Sequence, residues 1–166
     1  MSTFQKSVDL KDHDGSTIGL KLAGTLVTAT AAELNTLDDA VSNVTIAYEA
    51  SATTDGIEAT LTVVDGAGVA IDAVHKLEVF ITDDDIGGVL TSTSASGALT
   101  AVTGSILSVL TAKKHVTITT AATGIATLLL VDSANTAGER FIVVHPSSGK
   151  SIVGASALAT DYEGGS

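Results

Sequence analysis

Residues 146-PSSGKS-151 come closest to a known chemical motif in this sequence. Gly149, Lys150 and Ser151 match the last three residues of a phosphate-binding loop, in which backbone amides and the lysine hold the phosphates of a nucleotide. The motif also needs a glycine five residues before Gly149, where this chain has Val144 in an apolar run. A turn between two strands explains the same residues, so we expect neither a nucleotide nor any other cofactor.

The four histidines lack the paired spacing that zinc sites use. They stand far apart, at the ends of apolar runs or beside turn residues: His13, His75, His115 and His145. We expect them to be polar residues at strand edges or in turns rather than metal ligands.

Two acidic stretches contain the oxygen ligands that calcium prefers. The stretch 12-DHDG-15 matches the start of a calcium-binding loop, but Ala23 stands at the twelfth position, where such a loop needs a glutamate. The second stretch is Asp83-Asp84-Asp85. It could hold calcium in an assembled oligomer, although a solvated turn is the simpler interpretation, and we predict no metal site.

The sequence contains no recognisable catalytic set. It has no cysteine and no Gly-x-Ser-x-Gly motif, so two common nucleophile arrangements are missing. Paired carboxylates for sugar hydrolysis cannot be judged from linear spacing, but aromatic residues make up only 3% of the chain, and few stacking platforms for sugars remain. We therefore predict a protein that is not an enzyme.

Charge and hydropathy exclude further classes of function. The net charge of −11 has the wrong sign for neutralising the phosphates of nucleic acid or of anionic lipid. The longest apolar run, residues 125–131, is far shorter than the ~20 residues that span a bilayer. Residues 1–15 lack the apolar core of a secretory signal. We expect a protein made in the cytoplasm that binds neither nucleic acid nor membrane.

Alternating apolar residues predict a mainly β fold over residues 45–166. In one predicted strand Ile57, Ala59, Leu61 and Val63 share a face, and Leu77, Val79 and Ile81 do so in the next. Further strands follow at 115–121, 124–132 and 139–145, while 104–115 fits a strand slightly better than a helix. Their spacing predicts an antiparallel Ig-like β-sandwich, with 125–131 and 141–144 either as central strands or as strands covered by a neighbouring subunit.

Residues 1–27 are rich in Gly and Thr and lack a helical period, which predicts an extended arm. Ile18, Leu20 and Leu22 alternate, so one face of the arm would be apolar. Such an arm becomes ordered only on a partner surface, and we predict that the arm binds the surface of another protein.

A short helix is predicted over residues 28–44. Thr30 and Glu33 form a capping box, which satisfies the free amides at a helix start. Leu34, Leu37 and Val41, followed by Val44, make a narrow apolar seam. So short a helix is marginal alone, and it therefore needs a partner. Two interpretations remain open: packing on its own sandwich, or association of copies around an axis.

Two resemblances to known proteins are present, and the first favours association. Residues 26-LVTATAAELNTLDD-39 resemble the "TATAAELN-x-LD" element of bacteriophage virion proteins, among them tail fibres, head fibres and capsid-associated proteins that commonly form trimers. The chain departs from that element at Asp39, where many have glycine. Three longer stretches, 59–88, 116–132 and 140–156, are similar to small β-sandwich proteins of phages and prophages. The first resemblance implies a trimer contact at the helix seam.

These observations predict a phage virion structural protein on the capsid surface. We expect it to decorate or cement the capsid exterior, or to form the base of a head fibre, as a homotrimer whose arm binds the major capsid protein. A receptor- or sugar-binding module of a tail fibre or baseplate is the alternative. A bacterial surface module with an Ig-like fold is a third interpretation, which the lack of a secretory signal disfavours.

Overall fold

The computed structural model describes residues 21–22, 25–26, 43–92, 95–144 and 151–165. The chain divides into two compact units, residues 1–40 and 41–166. Within the first unit, β1 (Lys21–Leu22) pairs antiparallel with β2 (Thr25–Leu26). Leu22, predicted on the apolar face of an extended arm, therefore lies opposite Thr25 in a two-stranded sheet.

The described residues of the second unit contain nine strands and one short 3-10 turn. The strands are β3 (Asn43–Ala50), β4 (Gly56–Val64), β5 (Lys76–Thr82), β6 (Thr100–Thr103), β7 (Ser105–Thr111), β8 (His115–Thr119), β9 (Ile125–Val131), β10 (Arg140–Val144) and β11 (Ser151–Val153). The 3-10 turn, η1, covers Ala159–Asp161.

These strands form two antiparallel sheets, as the sequence predicted. One sheet has the order β3-β4-β9-β6, and the other has the order β11-β10-β5-β8-β7. The doubly apolar strands β9 and β10 each lie between two neighbours, which confirms their prediction as central strands. The ambiguous segment 104–115 contains β7 and the start of β8.

The inner faces of the two sheets share one hydrophobic core. The predicted alternation is confirmed in β4, where Ile57, Ala59, Leu61 and Val63 are all fully buried. The same core contains Leu77, Val79 and Ile81 of β5 in the opposite sheet. Apolar faces of two sheets buried against each other define a β-sandwich.

The boundary between helix and sandwich differs from the sequence prediction. Asn43 and Val44, predicted as the end of the helix, belong to strand β3. Val44 is only 1% exposed and lies in the core of the sandwich. Because its side chain is already buried there, Val44 cannot serve as the last position of the predicted seam.

A single glycine carries the chain from one sheet to the other. Gly104 separates β6, at the edge of the four-stranded sheet, from β7, at the edge of the five-stranded sheet. It has a φ of +83°, which side chains disfavour, and a Cβ atom there would collide with the carbonyl oxygen of Thr119. Residues 100–111 thus run along the same side of both sheets.

Candidate interaction surface

Most of the residues predicted to make contacts lie outside the described part of the chain. These are the arm residues Ile18 and Leu20, the capping residues Thr30 and Glu33, and the seam residues Leu34, Leu37 and Val41. His13, His145, Gly149 and Lys150 also lie outside it, while Ser151 begins β11. The surfaces discussed next belong to the sandwich.

The aspartates at 83–85 begin a loop that Asp84 organises. The Asp84 carboxylate accepts hydrogen bonds from the amides of Ile86 (3.0 Å), Gly88 (3.1 Å) and Val89 (3.2 Å). These bonds lower the pKa of Asp84 below its ordinary value, and the bond from Gly88 has the largest effect. A carboxylate satisfied by its own loop has a structural role.

The Asp83 carboxylate also accepts hydrogen bonds from this loop. Its Oδ2 accepts hydrogen bonds from the amide (3.4 Å) and the hydroxyl (3.1 Å) of Ser92. Across the described residues, no three or more histidine and acidic side chains are grouped where they could hold a metal ion. In the structure these aspartates form a turn that shapes the connection between β5 and β6.

Two lysines in the β7–β8 turn hold this connection from the other side. Lys114 Nζ donates to the carbonyl oxygens of Thr91 (2.7 Å) and Ser92 (3.3 Å). Lys113 Nζ donates to those of Ala95 (2.8 Å) and Ser96 (3.0 Å). Within the described part of the chain neither lysine forms an ion pair, and both serve as multiple donors to backbone carbonyls.

These hydrogen bonds hold residues 83–92 in place, and this segment is called the rim loop. It presents Ile86 and Val89 to solvent, with exposures of 79% and 68%. The Thr82 hydroxyl donates to the carbonyl of Val89 (2.7 Å), so Val89 is held on both its amide and its carbonyl side. An ordered loop that projects apolar side chains is suited to contact another molecule.

The adjoining strands β6 and β7 also expose apolar side chains. Val102, Leu107, Val109 and Leu110 are each between 53% and 57% exposed. Leu107 and Leu110 have no opposite residue in the β7–β8 register, which shifts at both positions. Each shift is a β-bulge or a similar irregularity, and such a feature re-aims side chains and disturbs the ladder locally.

Of the two described histidines, His115 lies on the outer face of the five-stranded sheet. Its Nε2 lies 2.6 Å from the Glu78 carboxylate, and its ring packs edge-on against Phe80 at 5.6 Å. Glu78 and Phe80 lie in β5, so these contacts join β8 to β5 on the face away from the core. His115 is thus a polar strand residue, as predicted.

His75 lies just before β5 and pairs through its backbone with Thr120. Its amide donates to the Thr120 hydroxyl (2.9 Å), and its carbonyl accepts from the Thr120 amide (2.9 Å). Partial burial lowers the pKa of His75, which favours the neutral imidazole at pH 7. This environment is that of a structural histidine.

Sequence reasoning missed a buried polar cluster near the C-terminus. Glu139, only 2% exposed, accepts a hydrogen bond from the Tyr162 hydroxyl (3.4 Å), which also donates to the carbonyl of Thr136 (3.1 Å). Burial, reinforced by the negative charge of Asp132, raises the pKa of Glu139. The pKa of Tyr162 is also raised, first by burial and then by Glu139. No linear spacing indicates this cluster.

The cluster fastens residues 157–162 to the start of β10. The Ala157 amide donates to the Glu139 carbonyl, and the Gly138 amide donates to the Ala157 carbonyl, both at 2.8 Å. Asp132 accepts from the amides of Ala134 (3.2 Å) and Thr136 (3.3 Å) in the β9–β10 connection. The polar groups of this cluster therefore hold residues 157–162 and the β9–β10 connection in place.

No protein-family model matches the chain, and no curated protein shows significant sequence similarity to it. Within the described part of the chain, no helix has the length and apolar character needed to cross a membrane.

Proposed function

We propose that this chain is a non-enzymatic structural protein of a bacteriophage virion. It acts as a homotrimer on the capsid surface, where it decorates or cements the exterior or forms the base of a head fibre. Its partners are two further copies of itself and the major capsid protein. The observation that carries this proposal is the pattern of residues 26–39, shortly before the sandwich in the chain, which resembles an element of virion proteins.

The position of the sandwich supports a short connecting helix that contacts other copies. Strand β3 begins at Asn43, only two residues after Val41, the last usable position of the apolar seam. Leu34, Leu37 and Val41 are spaced as in a coiled-coil seam, and three such seams around an axis would remove apolar area from water at ~25 cal/mol per Å². The sandwich then projects from that axis.

The chemistry of the sandwich also favours a structural role. Its charged side chains are used to fasten loops, as Asp84 does for the rim loop and Lys113 and Lys114 do for the connection that follows. The net charge of −11 keeps copies apart unless specific contacts hold them together. A rigid, acidic module is suited to a particle exterior.

The mass of the chain in solution tests the trimer. We expect light scattering to give a mass of at least three times the 16.5 kDa of one chain, because the apolar seam is buried only when three copies associate. Leu34→Asp combined with Leu37→Asp should abolish threefold association, since it places charge in the seam.

Thr36→Asp is the matched control. It adds one negative charge to the predicted helix, against two in the double variant, but its position points away from the seam, so it should leave association intact. A monomeric wild-type chain, or a trimer that persists with both seam leucines replaced, would contradict the proposal.

A further inference from the structure

Strand β7 is an edge strand that exposes apolar side chains. Its one described neighbour in the five-stranded sheet is β8, so the backbone groups on its other side face no described strand. Six of its seven residues are exposed, among them Leu107, Val109 and Leu110. Edge strands with exposed apolar side chains pair readily with other strands unless charge, proline, bulges or covering structure prevents it.

Charge does not protect this edge. Residues 86–112 contain no Asp, Glu, Lys, Arg or His, although the whole chain carries 19 acidic and 8 basic residues. By contrast, the edge strand β3 contains the exposed acid Glu49. Two copies that each carry a net charge of −11 repel over most of their surfaces, and the uncharged β7 edge is where they can approach.

The sequence of β7 is complementary to itself. Read outward from Ser108 in 105-SILSVLT-111, Leu107 matches Val109, Ile106 matches Leu110 and Ser105 matches Thr111. In an antiparallel pair centred on Ser108, apolar residues would therefore stand opposite apolar residues, and hydroxyls opposite hydroxyls. Such symmetric matching is what a twofold contact between identical chains requires.

We propose that two copies of this chain associate through their β7 edges, antiparallel and around a twofold axis at Ser108. The exposed β7 edge of one copy therefore binds the β7 edge of a second copy. Leu107 and Leu110, at the two register shifts against β8, are each more than half exposed. Side-chain contacts between leucines and valines supply most of the interface, because these irregularities limit regular backbone pairing.

This contact is independent of the proposed virion function and of the helix seam. A twofold contact at β7 joins two sandwiches, whereas the seam joins three copies around a different axis. If both exist, threefold assemblies are linked to one another in pairs. Each contact can therefore be removed without the other.

Disulfide cross-linking tests the twofold axis directly, because the chain has no cysteine of its own. Ser108→Cys in the full-length chain places each thiol opposite its own copy, where Cα atoms of antiparallel strands lie about 4.5–5.5 Å apart. Mild oxidation should give a reducible two-chain band on a denaturing gel. That band reports pairs of chains whether or not trimers also form.

Ser105→Cys is the matched control on the same exposed strand. In the proposed pairing the two copies of residue 105 lie about 20 Å apart, too far for a disulfide, so it should not cross-link.

A charged variant completes the test. Val109→Lys in the Ser108→Cys chain should reduce the two-chain band at least tenfold, since it puts two lysines into an apolar contact. The experiment is repeated with Leu34→Asp and Leu37→Asp, where loss of the trimer should leave the cross-link intact. The proposal is overturned if Ser108→Cys cross-links no more than Ser105→Cys, or if Val109→Lys leaves the band unchanged.

Discussion

Glu139 shows how a single side chain links the C-terminal segment to the sandwich. Its carboxyl is almost fully buried and close enough to Asp132 for the negative charge to raise its pKa further. A raised pKa means that the folded chain holds a proton more tightly than the unfolded chain. The free energy of unfolding therefore falls as the pH rises from the unfolded pKa of Glu139 through its folded pKa, and then levels off.

Glu139→Gln should remove this pH dependence. Glutamine resembles the protonated carboxyl and keeps an oxygen for the Tyr162 hydroxyl, but it cannot ionise. We expect the variant to be more stable than the wild type at neutral pH, with an advantage that shrinks toward acidic pH. Urea unfolding across the acidic to neutral range measures the difference.

Glu49→Gln controls for the change in net charge, because Glu49 is exposed on β3. If Glu139→Gln and Glu49→Gln change the pH profile equally, burial of Glu139 is not the cause. A Glu139→Gln variant whose advantage grows toward acidic pH would also contradict the assignment, since the sign of the linkage would be reversed.

At the scale of elements, strands with strict alternation were predictable and the shortest ones were not. Leu61 and Val63 mark the buried face of β4 because alternation with a period of two is typical of a half-buried strand. β6 and β11 are only four and three residues long, so neither shows enough alternation to be recognised. The strand character of Asn43 and Val44 was missed because the helical spacing of Leu37 and Val41 continues onto Val44.

The sequence predicted only some features of the sandwich surface. Sequence reasoning identified Asp83–Asp85 as a turn, but it did not predict the carbonyl contacts of Lys113 and Lys114. Those contacts join residues 17 to 23 positions apart, so they depend on tertiary structure. The charge-free run 86–112 was visible in the sequence and was the available signal for the exposed edge.

The chain passes from one sheet to the other at Gly104. Gly104→Ala should lower the free energy of unfolding by about 2–4 kcal/mol, combining left-handed strain with overpacking against the Thr119 carbonyl. Urea unfolding measures the loss. Gly66→Ala is the control, because a Cβ there meets no atom within 4 Å. It should change stability by about 0.5 kcal/mol or less, and equal losses would contradict the role of Gly104.

At the scale of the whole molecule, net charge and apolar surface act in opposite directions. A charge of −11 disfavours association, yet the sandwich exposes apolar side chains on the rim loop and on β7. Association therefore depends on local surfaces where charge is absent. The proposed twofold edge meets this condition because β7 is uncharged, whereas the apolar seam residues Leu34 and Leu37 stand beside Glu33 and Asp38.

Labelling of intact virions tests the proposed function most directly. Gold-conjugated antibodies against the sandwich, viewed by electron microscopy, should mark the whole head, because a capsid decoration protein binds a repeated capsid site; label at the head vertices would indicate the head-fibre form. Purified particles lacking the protein serve as the control for non-specific label. Label confined to the tail, or particles with no label at all, would contradict a capsid-surface protein.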